Sequence, residues 1–170
     1  MINKVLGNFW RFVLLIAIQV LLLNQLRLQS MFSPYIYPLF ILLLPIDLPR
    51  PWLLFLALLT GLTVDAFSNS MGMHASASLL VGWLRTPVLN LLKPSGGYQV
   101  EDRPTINFMG FRWFLFYSGI LMFIHHFYFF FIETFSLGHF FFMMTRIFLS
   151  FIFSIILILI YEYLTYQKKT

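Results

Sequence analysis

Six apolar runs, separated by short polar breaks, constrain this chain more than any other feature. They cover residues 9–26, 33–48, 52–67, 71–92, 111–132 and 140–163. A membrane-spanning helix needs about 20 residues, and all six runs come close to that length. The expected architecture is one all-α transmembrane domain over residues 1–170, with six transmembrane helices and a cytoplasmic loop at 93–110. Composition agrees: 60% of residues are apolar, 10% are charged and the mean hydropathy is +0.85, against about 25% charged residues in a soluble domain. The second run strains the scheme, because Pro34, Pro38 and Pro45 interrupt it and a helix of that length reaches only about 24 Å. A re-entrant segment is the alternative there.

Charge sets the expected orientation. If all six runs cross, Lys4, Arg11, Arg50, Arg85, Lys93, Arg103, Arg112, Lys168 and Lys169 share one side, and only Arg27 and Arg146 lie on the other. The excess of Lys and Arg on cytoplasmic segments then places both termini in the cytoplasm. Trp10, Trp52, Trp83 and Trp113 fall near the same helix ends, where amphipathic rings prefer to lie. The first 26 residues have the basic start and apolar body of a signal peptide, but Asn24-Gln25-Leu26-Arg27 offers no small-residue cleavage site, so a retained helix is expected. A net charge of +5 is read as a topology signal, and no nucleic-acid partner is expected. The absence of cysteine excludes disulfides, thiol catalysis and cysteine-ligated metals.

The least lipid-like stretch is Gly61 to Pro87. Asp65 closes one apolar run, Ser68-Asn69-Ser70-Met71-Gly72 breaks the chain, and His74 opens the next run with Ala75, Ser76, Ala77 and Ser78. This reads as a helical hairpin with small, polar inner surfaces. Asp65 should face protein or lie at the membrane boundary, since a carboxylate in hydrocarbon costs roughly 2.5–3.5 kcal/mol. His74, Ser78, Gly82 and Arg85 share one helical stripe, a candidate helix-packing or partner surface on which missing bulk permits close approach.

Other polar groups fall in the outer half under this topology: Asp65, His74, Glu133, His139 and Arg146, with His125 and His126 about two turns below Glu133. Arg146 enters the sixth helix about 10 Å deep and is expected to pair with Asp65 or Glu133. Adjacent histidines point about 100° apart on a helix, so His125, His126 and Glu133 do not form one metal site, and hydrogen-bonded helix packing is the expected role of the histidines. Asp65 and His74 could meet as an acid–base pair, with Ser68, Ser70, Ser76 or Ser78 as nucleophile; a hydrolase would need a serine within reach of His74 or His125. Ordinary turn, capping and helix-packing chemistry accounts for the same serines. No enzymatic activity, metal or cofactor is expected.

At the hairpin the chain resembles the MreD family, small polytopic proteins of the bacterial rod-shape and lateral wall machinery. The residues that carry the resemblance are Gly61-Leu62-Thr63-Val64-Asp65, Ser68 and Gly72-Met73-His74-Ala75. Length, six spans, termini on the cytoplasmic side and a brief loop between the fourth and fifth spans fit it as well. The phenylalanine-rich last third, with His125, His126 and Glu133, resembles versions from Bacteroidetes-type bacteria. The resemblance implies a fold similar to the substrate-binding S-components of ECF vitamin transporters and a non-enzymatic scaffold role in cell-shape regulation. It implies residence in the bacterial cytoplasmic membrane, association with an MreC-like single-span protein, and assembly with an MreB-like actin homologue and a wall polymerase and transpeptidase. A small-molecule binding or transport subunit, with its pocket between the Asp65–His74 hairpin and the last two helices, is the alternative.

Overall fold

A computed structural model describes residues 2–26, 32–99, 102–134 and 140–166; Arg27, His139, Lys168 and Lys169, used above, lie outside these. The described chain is helical and contains no strand. Helix α1 (Ile2–Ala17) continues through a π-helical stretch, Ile18–Leu22, into a 3₁₀ turn, Leu23–Leu26. After it come the short α2 (Leu39–Leu42), then α3 (Arg50–Ser68), α4 (Met73–Leu91), the short α5 (Ile106–Met109), α6 (Phe111–Thr134) and α7 (Phe140–Leu164). Among the described residues, four helical stretches are long and apolar enough to cross a membrane: Leu6–Gln25, α3, α6 and α7. This is the layout of a membrane protein.

Helix α4 has the length of these four but a different character, because its 19 residues include His74, Ser76, Ser78, Arg85 and Pro87. It can carry them because it is the inner helix: His74, Ser78 and Arg85 are at most 1% exposed. Helices α3 and α4 form the expected hairpin, and α4 packs in turn on α6.

The second run is where expectation and structure part. Residues 32–36 take no regular secondary structure and their backbone N–H groups alternate in side as in an extended chain, α2 supplies one helical turn, and the remainder is turn and irregular chain. The expected second transmembrane helix, over residues 33–48, is therefore absent. The cause lies in the prolines, which remove backbone donors and disfavour helix at the residue before them. The segment nevertheless carries the chain from one end of the bundle to the other. Asn24, at the end of the first helical stretch, donates to Ser68 at the end of α3 (2.9 Å), whereas Leu43, Leu44 and Pro45 lie beside Arg11 and Arg85. It does so through the middle of the protein, since every residue from Ser33 to Leu44 is buried.

Candidate functional site

The hairpin is fastened by a close contact and a carboxylate. A methyl group built on Gly61 would stand 2.4 Å from both the Cα of Ala75 and the carbonyl oxygen of His74, so α3 and α4 touch backbone to backbone here and only glycine fits. One turn later Asp65, buried, turns its carboxylate onto the start of α4. Its Oδ1 accepts from the Ser70 hydroxyl (2.5 Å) and the His74 N–H (3.1 Å), and its Oδ2 accepts from the Ala75 N–H (2.8 Å). The first N–H groups of a helix lack intrahelical partners and favour negative charge; Asp65 supplies both from the neighbouring helix. The connecting break makes room through left-handed residues Asn69, Met71 and Gly72, whose φ values are 52°, 48° and 86°. Asp65 thus meets His74 through the backbone N–H of that residue.

The extended segment is held by side chains acting as neighbouring strands. Successive residues of an extended chain turn their backbone groups to opposite sides. On one side the N–H groups of Ser33 and Tyr35 donate to Ser150 Oγ (2.9 Å) and Ser154 Oγ (2.8 Å) of α7. Alternate residues of an extended chain are about 6.6 Å apart, and positions i and i+4 of a helix about 6.0 Å, so a Ser-x-x-x-Ser pair matches the repeat. On the other side the Gln19 carboxamide accepts from the Ile36 N–H (2.9 Å) and donates to the Pro34 carbonyl (3.3 Å). Gln19 stands in the π-helical stretch of the first helix, a local irregularity of the kind that re-aims side chains.

Two aromatic residues of the same segment enter the polar centre. The Tyr37 hydroxyl lies 3.0 Å from His74 Nδ1 and 2.6 Å from His125 Nε2, and Tyr35 packs its ring among His74, His125, His126 and Phe129. A phenol between two imidazoles donates to one nitrogen and accepts an N–H from the other. His126 has its own partners. Its Nδ1 faces the Met122 carbonyl (2.7 Å) and so carries the proton, leaving Nε2 to accept from Ser154 (3.0 Å), whose oxygen meanwhile accepts from Tyr35. The adjacent histidines thus serve different partners, as their angular separation requires. Ser154 with His126 is the serine–histidine contact of the site. Both are fully buried, and the serine is tied to the backbone of Tyr35.

The expected outer cluster separates into parts. Arg146 pairs with Glu133 (2.9 Å) and lies over the Phe130 ring at 4.6 Å from its centroid, while Asp65 belongs to the hairpin. Among the described residues, no group of three His, Asp or Glu side chains is placed to hold a metal ion. The stripe of His74, Ser78, Gly82 and Arg85 faces inward: a methyl group on Gly82 would stand 2.9 Å from Ala57 Cβ of α3. It is a packing surface within the chain, and a direct partner contact through Ser78 or Gly82 is ruled out by their burial.

At the other end Arg85 closes the segment. Its Nε donates to the Tyr117 hydroxyl (2.8 Å), and its terminal nitrogens donate to the carbonyls of Leu44 and Pro45. Tyr117 in turn donates to the Leu42 carbonyl (2.9 Å). Arginine's planar set of five donors suits carbonyls that irregular backbone leaves unpaired. Gln19, Ser150, Ser154, Tyr117 and the buried Glu162, which accepts from the Ile106 N–H (2.9 Å), are working residues that sequence reasoning passes over. The available signal was a lone carboxamide or carboxylate, and serines four apart, inside otherwise apolar runs.

Comparison with known proteins returns no match: no family model fits the chain, and neither a curated protein nor a solved structure is similar enough to count.

Proposed function

We propose that this chain is a non-enzymatic membrane scaffold of the bacterial wall-elongation complex, an MreD-like protein that acts in cell-shape regulation. On this reading it lies in the cytoplasmic membrane, crosses it six times when α4 and the extended segment are counted, and keeps both termini in the cytoplasm. An MreC-like single-span protein is its direct partner, with MreB-like and wall-synthesis proteins further out.

The observation that carries the reading is the use made of Gly61, Asp65, Gly72 and His74, the residues on which the family resemblance rests. All four serve the architecture: close approach, helix capping, a left-handed turn, and a buried imidazole bonded to Tyr37. Asp65, Tyr37, His126 and Ser154 around them are hydrogen-bonded within the chain, which supports a rigid body that presents its outside to partners. A solute-binding subunit resembling an S-component would need an enclosed cavity with converging polar groups. Two hollows among the described residues are open grooves with mainly apolar linings.

The test is co-expression of the tagged chain with a single-span partner bearing an extracytoplasmic domain, followed by purification in mild detergent. Recovery of the partner in near-stoichiometric amount is expected. Purification without any partner, together with saturable binding of a small solute, would overturn the scaffold in favour of the transport subunit.

A further inference from the structure

A groove on the lipid-facing side of α3, α4 and α6 is lined by Leu54, Ser76, Leu79, Leu80, Trp83 and Tyr128 and encloses ≈ 360 Å³. Its walls are mainly apolar, with Ser76 and Tyr128 as the hydroxyl-bearing members, along the length from Trp83 to Ser76, about 10 Å of helical rise. The hydroxyl of Ser76 is turned back onto the Met73 carbonyl (2.9 Å) and presents no donor to the groove. The mouth differs. There the Arg50 guanidinium stands 5.9 Å over the Trp83 ring and one helical turn before Leu54 on the same face of α3, next to two residues that line the groove. The only salt bridge among the described residues is Glu133–Arg146, so Arg50 has no carboxylate partner among them. The stacking holds that charge at the depth where a tryptophan marks the membrane–water boundary.

A fixed cation above an apolar channel, at interfacial depth, matches a molecule with an anionic head and a hydrocarbon tail. We propose that this groove is a binding site for an anionic phospholipid, with one acyl chain along Leu54, Leu79 and Leu80 and the phosphate on Arg50. A zwitterionic headgroup brings its own cation and gains less from Arg50, so the site discriminates by charge, by about fivefold for one basic side chain near the surface.

The test is native mass spectrometry of the purified full chain, equilibrated in detergent with equimolar phosphatidylglycerol and phosphatidylcholine. One phosphatidylglycerol should be retained in about fivefold preference. Arg50→Gln should abolish the preference, while Arg103→Gln, which removes an exposed charge elsewhere on the chain, should leave it. Leu79→Trp, which fills the groove from a partly exposed position, should remove the retained lipid altogether; unchanged size-exclusion elution establishes that each variant is folded. Equal loss in the two arginine variants, or lipid retention undiminished by Leu79→Trp, would overturn the site. Cross-linking of a protein segment in place of lipid, through a photoreactive residue at Leu79 in cells, would do so as well.

Discussion

The α3–α4 hairpin and the segment at residues 32–48 solve the same problem by opposite means. Both must bury backbone polar groups where no water reaches them, which in hydrocarbon costs several kcal/mol for each group left unpaired. The hairpin keeps most of its bonds inside two helices, and Asp65 satisfies the N–H groups of His74 and Ala75 at the start of α4. The segment gives up regular structure and borrows partners from α1, α4, α6 and α7 through Gln19, Arg85, Tyr117, Ser150 and Ser154. In the hairpin, position-specific demands fall on backbone and small residues. In the segment they fall on side chains far away in sequence.

Substitutions at each should therefore fail differently. Gly61→Leu should have the largest effect: its added atoms meet backbone 2.4 Å away, which cannot yield as a side chain can, and loss of all folded protein is expected in detergent thermal melts. Asp65→Ala should follow, at about 3 kcal/mol, because three buried donors lose their acceptor at once. Gln19→Leu should cost about 2–3 kcal/mol and raise amide hydrogen exchange at Ile36 while leaving His74 and Ala75 protected. Exchange rising equally in both regions would erase the distinction between them. Ser154→Ala should cost about 1–2 kcal/mol and should couple non-additively with Gln19→Leu, whereas Asp65→Ala should add to either within about 0.5 kcal/mol. Smallest is Arg146→Ala, at about 1 kcal/mol or less, since its partner Glu133 is 29% exposed and such pairs are weak.

The hairpin was legible in the sequence because its demands are local. A glycine, an aspartate, a glycine and a histidine within 14 positions announce a break and a close approach. The prolines at 34, 38 and 45 announced that the second run resists helix, although not that it would run extended through the centre. That outcome depends on Ser150 and Ser154, more than 110 residues away, and no local pattern records such a match. Arg85 was legible as a charge near a helix end and as part of the stripe, but its turn onto the Leu44 and Pro45 carbonyls was not, because no local pattern records partners about 40 residues away. The stripe through Ser78 and Gly82 was correct as a face. Only the packing of α4 between α3 and α6 decides that it looks inward.

The ladder between the extended segment and α7 also imposes an order on biosynthesis. Ser33 and Tyr35 leave the ribosome 117 and 119 residues ahead of the serines that will hold them, an interval of roughly 6–24 s at ~5–20 residues per second. Throughout that interval their N–H groups have no lasting partner in lipid, so the segment waits in a wet or provisional setting while α3, α4 and α6 are inserted. Arrival of the last helix closes the protein around its second stretch of chain, and a nascent polypeptide truncated before Ser150 should remain open to proteolysis between residues 32 and 48.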